Sequence, residues 1–186
     1  VIVGPDAALP HRPARIVVAG TSGSGKTTLA ARIGSLLDIE HVEIDSLFHG
    51  PNWTPRPTFE SDVDEFLVRP SWVTEWQYGV VRDRLADADL LLWLDLPRRT
   101  VMRQVITRTL RRMLGRHELW NGNIEPPLHR IFFDREYIVR WAWSTYRLTT
   151  ERVQRLSVRR PELPIVRFRS HRDVDAWIAH QLIPPT

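Results

Sequence analysis

The chain has no cysteine. That excludes disulfides and thiolate metal sites, and it fits a cytoplasmic protein. No apolar run approaches the roughly 20 residues of a membrane span. The opening residues, Val1-Ile2-Val3-Gly4-Pro5-Asp6, lack the basic stretch and long apolar core of a secretion signal. No internal repeat and no second domain stand out, so residues 1–186 read as one domain with a full core. Lysine is nearly absent. Of 26 lysines and arginines, Lys26 is the single lysine.

That one lysine lies in Gly20-Thr21-Ser22-Gly23-Ser24-Gly25-Lys26-Thr27, which fits G-x-x-x-x-G-K-[ST] at every fixed position. An ammonium on a thin stem can slide along a phosphate chain, whereas a planar guanidinium is too broad for the same slot. Ala14 to Ala19 reads as a short buried strand before the loop. Thr28 to Leu37 reads as a helix after it, with Leu29, Ile33, Leu36 and Leu37 on one stripe. Glycines let the backbone N–H groups turn inward around an anion, and the helix dipole points at the same place. Gly20, Thr21, Ser22, Gly23, Ser24, Gly25, Lys26, Thr27 and Thr28 are therefore the expected nucleotide-binding segment. Lys26 would reach the β- and γ-phosphates of ATP, and the Thr27 hydroxyl would ligate Mg²⁺.

The net charge is +4. The arginines cluster after residue 98 without forming one block, and acids are interspersed. Dedicated nucleic-acid binding is not the expectation.

Residues 1–13 carry three prolines and read as an extended leader. Strand and helix patterns then alternate. Strands are expected at 41–45, 72–75, 90–96 and 164–168. Helices are expected at 59–68, 80–86, 99–114, 128–159 and 173–182. Such alternation implies right-handed crossovers and a parallel sheet with helices on both faces, an α/β fold. Ligands in these sheets bind at the carboxyl ends of the strands. That rule selects the loop at 20–27, Asp45, Glu75 and the segment after Asp95.

Each of these has a candidate role. Glu75 or Asp45 could shape the Mg²⁺ shell, and Asp45 could also orient an acceptor hydroxyl. Asp95, just before Pro97, reads more simply as a helix cap. The loop 46–57 is rich in proline and aromatics, so Trp53 is either a stacking wall for the acceptor or a packing anchor. Gln77, Tyr78 and Arg82 follow the third strand, where Arg82 suits an acceptor phosphate or carboxylate. His49 has no partner at metal spacing and reads as a loop residue. Arg108, Arg112 and Arg116 are spaced i, i+4, i+8, so one helical face carries three guanidiniums. The loop that follows is rich in glycine and asparagine. Residues 108–127 read either as a lid that closes over the transferring phosphoryl group, with Arg108 and Arg112 as its catalytic cations, or as a solvated basic face.

These residues resemble a family. Gly20 to Leu29, Ile44-Asp45, His49-Gly50-Pro51-Asn52-Trp53-Thr54-Pro55-Arg56-Pro57, Leu92 to Val101 and Leu119-Trp120-Asn121-Gly122-Asn123 look like bacterial adenylate-kinase-related P-loop proteins, often labelled topology modulation proteins. The resemblance implies a nucleoside-monophosphate-kinase-like core: a three-layer P-loop NTPase with a five-stranded parallel sheet, ATP with Mg²⁺, and a helical or loop lid after the fourth strand. It also implies that the loop bearing Ser170 lies near the adenine. The family's third strand usually ends in Asp-Gly-Asn-Tyr, where this chain has Glu75-Trp76-Gln77-Tyr78.

The expected function is Mg²⁺-dependent phosphoryl transfer from ATP to a small acceptor, foremost a nucleotide or nucleoside. Two other readings stand beside it: an ATP-hydrolysing regulatory or nucleic-acid-associated switch, and a kinase of a non-nucleotide alcohol.

Overall fold

Two apolar runs, Arg15–Gly20 and Leu90–Leu94, dictate the centre of the molecule. Every residue of the second is buried, as are the four central residues of the first. Alternation sorts their side chains onto opposite faces. Ile16, Val18, Leu90 and Leu92 join one apolar cluster, and Val17, Ala19, Leu91 and Trp93 join the other. Near-continuous hydrophobicity of this kind demands a cover on both sides.

A computed structural model describes residues 1–85, 87–115, 120–123 and 138–182. The strands are β1 (Ile2–Val3), β2 (Arg15–Gly20), β3 (His41–Val42), β4 (Trp72–Glu75), β5 (Leu90–Leu94) and β6 (Ile165–Phe168). The helices are α1 (Lys26–Leu37), α2 (Ile44–Phe48), α3 (Phe59–Leu67), α4 (Gly79–Leu85), α5 (Arg98–Gly115), α6 (Ile138–Arg159) and α7 (His171–Gln181). The strands form one parallel sheet in the order β1-β6-β5-β2-β4-β3. Leu29 and Ile33 of α1, Val105 of α5 and Trp177 of α7 cover one face. Phe66 of α3, Leu85 of α4 and Val153 of α6 cover the other. Among the described residues no helix is long and apolar enough to cross a membrane.

The sheet has six strands, not the five implied by the resemblance. The sixth comes from the stretch read as a leader: Ile2 and Val3 pair with Ile165 and Val166. The strand expected at 41–45 ends at Val42, and Asp45 lies in the first turn of α2 instead of at a strand end. The Glu75 carboxylate accepts the Ile44 N–H at 3.0 Å, which stabilises a helix start there. The last helix opens earlier than expected. Ser170 is its N-cap in a reciprocal capping box with Asp173. Of the helix expected at 128–159, Ile138–Arg159 is present, and 128–137 lie outside the described residues.

Candidate functional site

The P-loop occupies the carboxyl end of the central strand, between β2 and α1. Gly25 is the N-cap of α1 with φ +95°. Gly23 has φ +81°, and a Cβ there would lie 2.0 Å from Val105 Cγ2. Helix α5 therefore packs directly on the loop, and only glycine fits between them. Ser24 Oγ is buried, with no hydrogen-bond partner among the described residues. The Lys26 ammonium reaches the Thr21 carbonyl at 3.5 Å. Burial lowers its pKa, Asp45 and Glu75 partly restore it, and Arg108 lowers it further. A glycine cradle, an orphaned hydroxyl, a desolvated ammonium and a second cation make a donor set suited to a polyphosphate.

Beside the loop stands Glu75, only 1% exposed. Its Oε1 lies 3.1 Å from His41 Nε2, and its Oε2 accepts the Ile44 N–H. The Thr27 side chain lies near enough to help lower its pKa. Burial alone would raise its pKa. The hydrogen bonds from His41 and Ile44, the charge of His41 and the Thr27 side chain more than offset this, and the net shift is downward. Glu75 is thus a carboxylate held ionised near the Thr27 side chain. His41, one strand over, is a participant that sequence reasoning missed, because the two residues are 34 apart in the chain.

A second network surrounds Asp45. Its Oδ1 accepts the Gln77 amide at 2.6 Å and the Tyr78 hydroxyl at 2.5 Å. Tyr78 Oη also lies 3.1 Å from His49 Nε2. His49 is therefore more than a loop residue. Burial, the Asp45 charge and the hydrogen bond to it push the Tyr78 pKa up. Burial lowers that of His49, partly opposed by Asp45. The Tyr78 ring stacks on Phe48 with centroids 4.0 Å apart, and the His49 ring meets Trp53 edge-on at 5.1 Å. Tyr78 has φ +59°, an uncommon backbone state for a bulky residue.

The structure brings Lys26, Thr27, Asp45, Glu75 and Arg108 into one electrostatic neighbourhood. Gln77, Tyr78 and Trp53 line its margin through Asp45 and His49. Arg82 makes its contacts elsewhere. Its guanidinium lies over the Trp76 ring at 5.6 Å, and burial together with Arg152 lowers its pKa, against the pull of Asp83. Trp76, the departure from the family pattern, is 7% exposed within the core cluster and donates its Nε1–H to the Arg82 carbonyl. The Asp95 carboxylate pairs with Arg167. The Arg169 and Ser170 N–H groups both donate to Asp173, so those two donors already serve the capping box. Of the segment 108–127, the α5 portion to Gly115 and residues 120–123 are described. The Arg112 side chain and Arg116 lie outside the described residues. Asn121 and Asn123, the other residues missed, bond to the loop carrying His49 and Trp53.

No protein-family model matches the chain, and no similar curated protein was found. Solved structures do match. Shikimate kinase from Acinetobacter baumannii, in complex with shikimate, shares 15% identity at a TM-score of 0.52, over 89% of each chain. Shikimate kinase from Bacteroides thetaiotaomicron shares 13% at 0.44, over 90% of this chain and 95% of that one. A gluconokinase from Sinorhizobium meliloti shares 21% at 0.40, over 77% and 97%. At such identity the first of these likenesses speaks for architecture alone: the chain shares the parallel-sheet α/β fold of that structure.

Proposed function

We propose that this protein is an ATP-dependent, Mg²⁺-requiring phosphotransferase whose acceptor is a hydroxyl group on a small molecule. The observation that carries this reading is the pairing of two carboxylates around one lysine. Glu75 is bonded to His41 and the Ile44 N–H beside the P-loop, while Asp45 is bonded to Gln77 and Tyr78. Two acids in different surroundings suit two tasks.

In this reading the P-loop amides, Ser24 and Lys26 hold the phosphates. Thr27 would hold Mg²⁺, with the Glu75 carboxylate nearby to shape the metal's surroundings. Bound Mg²⁺ supplies charge neutralisation across the phosphate oxygens. Arg108 adds positive charge on the side of Lys26, and Arg112 would follow one turn later on α5. Asp45 orients the acceptor hydroxyl and takes its proton as the oxygen attacks the γ-phosphorus. The new P–O bond forms in line with the breaking bond to the β-phosphate, and ADP leaves. Phe48, Trp53 and Tyr78 form an apolar wall, and His49 and Gln77 add hydrogen-bonding capacity.

A nucleoside monophosphate acceptor would call for a guanidinium fork near Asp45. Arg56 pairs with Asp62 at 2.9 Å, and Arg82 lies over Trp76. Among the described residues these partners support a hydroxyl acceptor over a phosphate one, and a nucleoside remains within that class. The Pro-Asn-Trp-Thr-Pro and Trp-Asn-Gly-Asn segments support placing the chain among the adenylate-kinase-related proteins it resembles.

An ATP-consumption screen tests the proposal, with shikimate, gluconate, nucleosides, nucleoside monophosphates, DNA and RNA each set against an enzyme-only control. Stimulation by a hydroxy compound, abolished in Asp45→Asn while ADP still binds, is the expected result. Stimulation by nucleoside monophosphates alone would overturn the hydroxyl acceptor. Stimulation by nucleic acid alone would favour the regulatory switch.

A further inference from the structure

The loop from His49 to Pro55 is held in an uncommon shape. Asn52 has φ 56° and Trp53 φ 58°, two consecutive left-handed residues, neither of them glycine. Such a backbone persists only where its surroundings over-determine it. Part of the restraint is internal. His49 and Pro55 form an antiparallel bridge, Gly50 N–H donates to the Thr54 carbonyl at 2.7 Å, and Arg56 N–H donates to the Phe48 carbonyl at 2.8 Å.

The rest comes from far along the chain. The Asn123 side chain, 4% exposed, donates from Nδ2 to the Gly50 carbonyl at 2.9 Å. Its Oδ1 accepts the Trp53 N–H, also at 2.9 Å. Asn121 Nδ2 donates to the His49 carbonyl at 2.5 Å. One carboxamide thus satisfies both an acceptor and a donor of the strained turn, and a second pins its first residue. From that residue the His49 ring reaches the Tyr78 hydroxyl, which bonds to Asp45.

We infer that Asn123 is a positioning residue for the acceptor side of the site. Asn121 and Asn123, between α5 and α6, complete that side by bonding to backbone. Side-chain chemistry selects asparagine here. Leucine has a similar volume but neither hydrogen-bonding group. Aspartate keeps the acceptor for Trp53 but sets a charged oxygen against the Gly50 carbonyl. Asn123 stabilises one setting of Trp53 and His49, and so one arrangement of the groups around Asp45. Acceptor recognition then depends on a residue 70 positions away from Trp53.

The test uses the full chain and two readouts. Hydrogen exchange is followed in wild type, Asn123→Leu and Asn123→Asp. Both variants should exchange at least about tenfold faster across 49–56, with β2, β5 and α1 unchanged, and should bind Mg²⁺-ADP within about twofold of wild type. The kinetic arm rests on the phosphotransferase reading. With whichever acceptor the screen identifies, KM for that acceptor should rise more than kcat falls, while KM for ATP holds. Unchanged exchange in 49–56 would overturn the inference. So would a rise shared equally by the sheet in Asn123→Asp or Asn121→Ala, which marks a merely structural residue. Should Asn123→Leu lose protection throughout, Asn121→Ala, which removes only the bond to His49, is judged by the same criterion. If no acceptor stimulates turnover, the phosphotransferase reading fails by itself, and the exchange result still decides the role of Asn123.

Discussion

Replacing Glu75 with glutamine separates structure from chemistry in the P-loop site. The carboxylate is 1% exposed and is hydrogen-bonded by His41 and the Ile44 N–H. Glutamine keeps one oxygen, which can still accept from Ile44. Its NH₂ can face His41, which then accepts in its other tautomer. The loss is the charge-assisted component of those bonds, offset by not having to bury a charge. A stability cost of about 1–2 kcal/mol follows. Turnover should suffer more, by about 100- to 1,000-fold, or roughly 3–4 kcal/mol, because the charge acts where the phosphoryl group transfers. The pH dependence has a definite sign. The folded-state pKa of Glu75 lies below its ordinary value. Its contribution to stability is therefore complete above the ordinary carboxylate range and disappears as pH falls through the depressed folded-state value. Urea melts of wild type and Glu75→Gln from neutral to acid should converge as the carboxylate is protonated, and Mg²⁺ titrations of turnover should not. If glutamine is as active as wild type at every Mg²⁺ concentration, Glu75 is a structural strand-end residue, and Asp45 becomes the better candidate for the metal shell.

Lys26→Ala should fold normally by circular dichroism and lose nearly all ATP turnover, and Lys26→Arg should also be impaired because the fork does not fit the slot; wild-type turnover in the alanine variant would end the nucleotide reading. Arg108→Ala should slow phosphoryl transfer by about 2–4 kcal/mol if its guanidinium meets the transferring group. Arg159→Ala is its surface control, since that residue makes only an exposed pair with Asp83, at 3.1 Å, worth little; equal effects of the two would make the arginines a generic charged face. Gly23→Ala should abolish nucleotide binding and lower the melting temperature, because the new methyl meets Val105 and the backbone has positive φ; calorimetry showing wild-type ADP affinity would contradict the packing of α5 on the loop.

What the sequence made legible was local. The P-loop spacing, the strand Trp72–Glu75 and the strand expected at 90–96, which ends at Leu94, are patterns within a few residues. What escaped depends on distant contacts. Strand β1 is two residues long, too short for any periodicity, and exists because Ile165 and Val166 offer it an edge. Asp45 moved from strand to helix because a carboxylate 30 residues later meets the Ile44 N–H. The Trp-Asn-Gly-Asn stretch was read for flexibility, since glycine and asparagine permit turns. The same carboxamides bond backbone equally well, and that second property is the one the described residues display. Trp76 stands where the family that the chain resembles usually has a small residue, and its ring is absorbed by the core and bonded to the Arg82 carbonyl of α4.

Helix α5 is seated on the P-loop at Val105, and Arg108, one turn further on, lies in the electrostatic field of Lys26. Arg108 disfavours the charged ammonium, against the pull of Asp45 and Glu75. A polyphosphate offsets the effect of Arg108 merely by arriving, before any metal or acceptor is present. The protein should therefore behave as a polyanion sensor in its melting temperature. Inorganic triphosphate should raise that temperature more than inorganic phosphate does, and added salt should shrink the difference. On the proposed phosphotransferase reading, part of the charge for transfer is then already in place in the resting protein.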